Sequence, residues 1–166
     1  HHGQIRCWVA KKNIKKISSN LKKLIMREKQ DKVYHDATLF SFGKKTLKIK
    51  NKLNKFFNKI KENNESIIGY GAPAKATTLI SFLGINKSKI KFIVDKNPLK
   101  QNKFMPGSRI PIYSIDRIEK FKPKYLFNFA WNFLNEILNQ NKIFLIKGGK
   151  IVNPIPKFKI YDHKKK

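Results

Sequence analysis

The sequence is poor in cysteine and in acidic residues, and it has no long apolar segment. Cys7 is the single cysteine among 166 residues, which excludes an internal disulfide and a zinc site built from cysteines. No apolar run approaches the roughly 20 residues that cross a bilayer, and the N-terminus lacks the apolar core of a signal peptide. These absences predict a soluble, cytoplasmic protein in a reducing compartment, with no membrane partner.

Positive charge dominates the sequence, but arginine is scarce. Lys and Arg number 38 against 10 Asp and Glu, a formal net charge of +28, and 34 of the 38 are Lys. Arg is the residue that favours bidentate recognition of phosphates and bases. The lysines are spread along the chain beside 16 Asn and 22 Ile, residues that share A/T-rich codons. We therefore expect no nucleic-acid partner beyond non-specific attraction at low salt, and a polyanion-binding module remains an alternative.

The first 64 residues have the pattern of a strand followed by two lysine-rich helices. Residues 4–10 carry Ile, Cys, Trp and Val, which favour a strand. Apolar residues recur at helical spacing over 13–29 and again over 45–63, and residues 31–43 are predicted to connect these two helices. The segment is predicted to be an arm that leads into a domain.

From residue 65 onward, short apolar segments alternate with helical ones. Strands are predicted at 66–69, 91–95, 125–129 and 150–153, with at most a short strand at 110–112. Helices are predicted at 73–83, 114–121 and 132–141, and the chain after residue 156 is predicted to be frayed. The alternation predicts an α/β fold, a small Rossmann-like open parallel sheet with helices on both faces.

The segment after the first of these strands matches a dinucleotide-binding fingerprint. Gly69, Gly71 and Ala74 have the spacing G-x-G-x-x-G/A between a predicted strand and a predicted helix. Asp95 ends the next strand, where an acid that binds a ribose would lie. The same small residues also suit a tight turn with no ligand. Lys75 lies in the first helical turn, where it is either an anion ligand or a solvated lysine.

Polar and aromatic residues also follow the strand at 125–129. Trp131 and Asn132 begin the next predicted helix, so Asn132 is a candidate N-cap or a candidate ligand contact. Because the carboxyl ends of parallel strands meet at one edge of a sheet, both are expected near the glycine loop. No Ser/His/Asp arrangement, pair of catalytic carboxylates or metal-ligand spacing is recognisable in the sequence, so the catalytic residues stay unknown.

Several segments, in order along the chain, resemble one family. They are HHGQIR (1–6), GYGAPAK (69–75), VDKNPLKQ (94–101), PGSRIPI (106–112), WNFLNEI (131–137) and GGKIVNPIP (148–156). They resemble the C-terminal domain of SAM-dependent C-methyltransferases, the group that includes sugar C-3 methyltransferases acting on nucleotide-linked 4-keto-deoxysugars. The chain departs from the family pattern at His2, Gln4, Asn102 and Arg109, where the family usually has Gly, Ser, Gly and His.

The resemblance implies the final part of a longer enzyme. Residues 1–64 would be a strand and helical arm from a preceding catalytic domain, 65–157 a Rossmann-like domain and 158–166 a basic tail. S-adenosyl-L-methionine would be bound mainly by a preceding domain of the same protein. The domain described by 65–157 would help to form the cleft for a nucleotide-sugar-like substrate.

The same resemblance implies which residues face that cleft. They are Gly69, Tyr70, Gly71, Ala72, Lys75, Asp95, Lys100, Trp131 and Asn132. The glycine loop leaves a different enzyme class open as an alternative, an NAD(P)-dependent oxidoreductase-type nucleotide-binding domain.

Overall fold

The computed structural model describes residues 8–12, 14 and 16–163. The chain separates into two compact units, residues 1–47 and 48–166. The strand predicted at 4–10 lies mostly outside the described residues, and residues 8–10 are not in a strand. The domain boundaries predicted at 64/65 and 157/158 stay predictions.

Helix α1 (Ser19–Gln30) lies in the first unit. It begins where the Ser18 hydroxyl accepts a hydrogen bond from the Leu21 N–H at 3.3 Å. The helix predicted over 13–29 therefore starts later than expected, because the capping residue decides its start. No residue of α1 is buried.

Helix α2 (Asp36–Glu62) runs through both units. The connector predicted over 31–43 is wrong, because α2 already begins at Asp36, whose charge suits the first turn of a helix. Gly43 lies inside the helix and costs about 1 kcal/mol relative to Ala, which is too little to end a helix of this length. Neither α2 nor any other helix in the described residues has the length and apolar character of a bilayer span.

The second unit contains a six-stranded sheet with the order β3-β2-β1-β4-β5-β6. Its elements, in chain order, are β1 (Ile67–Tyr70), α3 (Ala74–Leu83), β2 (Ile93–Val94), β3 (Ile112–Tyr113), α4 (Arg117–Phe121), β4 (Tyr125–Asn128), α5 (Leu134–Gln140), α6 (Lys142–Ile146), β5 (Lys150–Asn153) and β6 (Lys159–Tyr161). The first five strands pair in parallel, and β6 pairs antiparallel with β5. The predicted Rossmann-like open sheet is confirmed.

Both faces of this sheet are covered, as the uniformly apolar strands predict. Ile67, Phe127 and Val152 pack on one face with buried residues of α2 and α3. Their strand neighbours Ile68, Leu126 and Ile151 pack on the other face with α4, α5 and α6. Successive strand residues therefore belong to two separate hydrophobic cores.

The end of the chain differs from the sequence-based expectation. The tail predicted to be frayed after residue 156 forms β6, whose Ile160 pairs with Val152. Phe158 and Ile160 are partly buried against the core of the α2–α3 face, and this burial holds the segment on the sheet. The helix predicted at 132–141 divides into a 3-10 turn (Trp131–Phe133) and α5, and α6 was not predicted.

The loop between β2 and β3 contains two non-glycine residues in the left-handed region. Asn102 has a φ of 60° and Arg109 a φ of 52°. Gly adopts this conformation without steric cost, and Asn is among the residues that tolerate it best. The replacement of the usual glycine of the family by Asn102 is therefore compatible with the backbone.

Candidate functional site

The candidate site lies at the carboxyl ends of β1 and β4, where the strand order reverses direction. From β1 the chain crosses to β2 on one side, and from β4 it crosses to β5 on the other. In open α/β sheets, ligands bind in the crevice outside this switch point. The loops that follow β1 and β4 meet there, because a Cβ atom added to Gly71 would lie 2.9 Å from the Cβ of Ala130.

The two glycines of the fingerprint have different roles in the structure. Gly71 has a φ of 81°, so the loop after β1 needs its backbone freedom. Gly69 lies within β1, where an added Cβ would be 2.6 Å from Ile93 Cγ1 and 2.7 Å from Phe129 Cε2. Gly69 is therefore required for packing between neighbouring strands, and it is buried.

Asp95 closes the glycine loop with its own carboxylate. The Ala72 N–H donates to Asp95 Oδ2 at 2.6 Å, and the Asn97 N–H donates to Oδ1 at 2.8 Å. Lys100 Nζ donates to the Ala72 carbonyl at 2.9 Å and lies 3.7 Å from Asp95 Oδ2. The acid predicted to bind a ribose thus also accepts the Ala72 N–H of the glycine loop.

Lys75 and Trp131 are brought together across the switch point. Lys75 lies in the first turn of α3, and its Nζ is 4.0 Å from the centre of the Trp131 ring. Partial burial lowers the pKa of Lys75 from its ordinary value. Trp131 packs against the core of the α2–α3 face, so the ring holds the ammonium group at a fixed place by a cation–π contact.

Asn132 and Tyr70 occupy different surroundings. Asn132 is exposed and caps no helix, so the predicted N-cap is wrong, since the first turn after β4 is a 3-10 turn. It borders an open depression of about 410 Å³ lined by residues 132–136. Tyr70 is buried in the core of the other face, and its hydroxyl donates to Gln140 Oε1 at 3.2 Å. Burial raises the pKa of Tyr70.

Two buried amides at the same edge were missed in part by the sequence analysis. Asn128 ends β4 and donates through Nδ2 to Asn153 Oδ1 of β5 at 3.0 Å. Asn128 Oδ1 accepts the Ala130 N–H at 2.8 Å, and Asn153 Nδ2 donates to the Ile155 carbonyl at 2.6 Å. The signal in the sequence is an Asn between Phe127 and Phe129 in an otherwise apolar strand. The amides fix the residue that precedes Trp131.

At the glycine loop, the ribose of S-adenosylmethionine or of a dinucleotide would have to bind Asp95. A ribose site needs carboxylate oxygens directed at hydroxyl groups, and both oxygens of Asp95 accept main-chain N–H groups of the same chain. Each carboxylate oxygen can accept a second hydrogen bond, so a ribose at Asp95 stays a prediction. In the described part of the chain, no three His, Cys, Asp or Glu residues are grouped so that they could hold a metal ion.

The fold and its switch-point loops define a Rossmann-like α/β domain with a closed glycine loop. The family model described as the C-terminal domain of C-methyltransferases matches residues 1–156. The chain belongs to this family, which confirms the resemblance.

A C-methyltransferase of Streptomyces niveus, NovU, is 40% identical to the chain over 94 residues. The match covers 57% of this chain and 22% of that protein, so it spans about a fifth of the length of the relative.

Proposed function

We propose that this chain is the C-terminal part of a SAM-dependent C-methyltransferase that acts on a nucleotide-linked keto-deoxysugar or a related small substrate. The family match over residues 1–156 carries the proposal. The similarity to NovU supports it over the 94 aligned residues.

In this proposal the preceding domains of the same protein bind S-adenosylmethionine and carry the catalytic base. The match of residues 1–156 to a C-terminal domain supports that division. None of the described residues is assigned the role of base.

The described domain contributes one wall of the substrate cleft. Lys75 supplies a cation at the N-terminal end of α3, where a phosphate group is favoured by the helix dipole. Trp131 supplies an aromatic surface beside it, and aromatic rings stack on nucleobases. The glycine loop is held in place by the hydrogen bonds of Ala72 with Lys100 and Asp95. The contribution of Gly69 and Tyr70 is packing within the core.

The proposal is tested with Lys75→Ala in the full-length protein encoded with its upstream sequence. Loss of a charge-assisted contact costs about 1.5–3 kcal/mol, so KM for the nucleotide sugar should rise about 10- to 100-fold. KM for S-adenosylmethionine should stay unchanged. Lys44→Ala, at an exposed lysine of α2, is the matched control.

Two results would contradict the proposal. One is an equal effect of both substitutions on the nucleotide-sugar KM. The other is saturable binding of NAD(P) or S-adenosylmethionine by the 166-residue chain alone that Gly71→Val abolishes. Calorimetric titration of the isolated chain measures this second outcome.

A further inference from the structure

The first unit presents apolar side chains that nothing in the described chain buries. No residue described between 8 and 47 is buried, although α1 and the first half of α2 contain large hydrophobic residues. On α2, Leu39 is 57% exposed and Phe42 is 69% exposed. Several large apolar side chains left exposed in one segment are typical of an interaction site.

One regular stripe of α2 connects these exposed residues to the core. Positions spaced alternately by three and four residues are Leu39, Phe42, Thr46, Ile49, Leu53, Phe56 and Ile60. The members from Ile49 onward are buried or partly buried in the core of the α2–α3 face. The first three members continue the same side of the helix, and we name Leu39, Phe42 and Thr46 the arm face. A three-four spacing is the pattern with which a helix packs against another helix.

The charge around the arm face limits what can cover it. Residues 1–47 contain twelve Lys or Arg and three Asp or Glu. Lys45 and Lys52 flank the stripe at a spacing of seven residues, and both are exposed. A second copy of the chain would bring like charges together, which is unfavourable. An acidic partner would pair with these lysines.

We propose that the arm face is the docking surface for an acidic amphipathic helix of the preceding methyltransferase domains. The inference rests on the proposed function, because it places those domains in the same protein. The apolar stripe of that helix covers Leu39 and Phe42, and its Asp or Glu residues lie opposite Lys45. The first half of α2 is then the segment that attaches the second unit, which forms one wall of the cleft, to the preceding catalytic domains.

Hydrogen exchange in the full-length protein and in the 166-residue chain tests the docking. Helices with little burial open at low free-energy cost, so amides of residues 36–47 should exchange at least about tenfold more slowly in the full-length protein. Phe42→Glu in the full-length protein should remove this protection. Phe104→Glu changes a phenylalanine that is 61% exposed in the other unit, and it should leave the protection unchanged. Lys45→Glu should reduce the protection.

Each other outcome overturns the docking proposal. Equal exchange of residues 36–47 in the two proteins would exclude a partner within the full-length protein. A concentration-dependent dimer of the 166-residue chain that protects these amides would identify a second copy as the occupant. Protection by phosphatidylglycerol vesicles alone would identify a lipid surface.

Methyl transfer by the full-length protein is measured separately in the same preparation. An active enzyme with an unprotected arm would contradict the docking alone. A protected arm in a protein that transfers no methyl group would contradict the proposed function alone.

Discussion

The two units of the chain are stabilised by different kinds of interaction. In the first unit α1 has a Ser18 cap, an exposed Arg27–Asp31 ion pair at 3.8 Å and no buried residue. A cap contributes about 1 kcal/mol and an exposed ion pair at most about 1 kcal/mol. In the second unit every strand and helix contributes at least one residue to a buried core or packs against one. Local interactions within the helix therefore stabilise α1, whereas the burial of apolar side chains stabilises the second unit.

The largest difference between the units should appear on truncation of a phenylalanine. Phe127 is completely buried in the core between the sheet and the helices α2 and α3. Phe127→Ala should lower the free energy of unfolding by about 3–5 kcal/mol. Phe40→Ala, at a side chain that is 72% exposed, should change it by less than about 0.5 kcal/mol. Urea titration followed by circular dichroism measures both. Similar losses would show that the first unit unfolds together with the second.

Glycine substitutions should give the second-largest difference in stability between the two units. Gly71→Ala places a Cβ 2.9 Å from Ala130 at a φ of 81°, so it should cost about 1–3 kcal/mol. Gly43→Ala meets no atom within 4 Å inside α2 and should increase helicity. The helical signal should rise with Gly43→Ala while the urea midpoint stays in place. A higher midpoint would contradict the view that the first unit adds little to the cooperative core.

Carboxylate substitutions should give a smaller difference in the free energy of unfolding between the two units. Asp95→Asn replaces the acceptor of the Ala72 N–H and weakens the contact with Lys100, which should cost about 1–3 kcal/mol. Asp31→Asn removes an exposed pair with Arg27 and should cost less than about 0.5 kcal/mol. Both values come from the same urea titrations. An unchanged midpoint for Asp95→Asn would mean that the carboxylate does not stabilise the loop.

The smallest expected effect is a shift in the titration of one lysine of the second unit, Lys75. Burial lowers the pKa of Lys75, so its neutral amine forms at lower pH than that of an unperturbed lysine. The pH midpoint of acetylation, followed by mass spectrometry, should therefore lie lower for Lys75 than for a lysine in an unstructured peptide. Identical midpoints for Lys75 and the peptide lysine would contradict an effect of burial on the pKa of Lys75.

Much of the second unit is predictable because its signals are local. Gly84 ends α3 in the left-handed conformation, as a C-terminal glycine predicts, and the strand at 150–153 has the predicted bounds. The sequence analysis failed where distant contacts decide. β6 exists because Phe158 and Ile160 reach the core, and that burial depends on β5 and α2.

The candidate site shows the same limit. The glycine motif, between a predicted strand and a predicted helix, indicated the positions of Gly71 and Lys75. Trp131 was expected near them because it follows β4. The motif suggested a ribose ligand for Asp95, but it did not indicate that the carboxylate accepts the Ala72 N–H, 23 positions away in the chain. Only the folded arrangement of β1 beside β2 reveals that contact.

The buried amides of Asn128 and Asn153 fix the alignment of two neighbouring strands. Between β4 and β5, Phe127 is paired with Val152, and the Asn128–Asn153 hydrogen bond follows at the next position. A slip of β5 by one residue would turn the Asn153 amide to the opposite layer and leave the Asn128 amide in an apolar core without this partner. One pair of polar groups therefore favours the observed register at the carboxyl ends of β4 and β5.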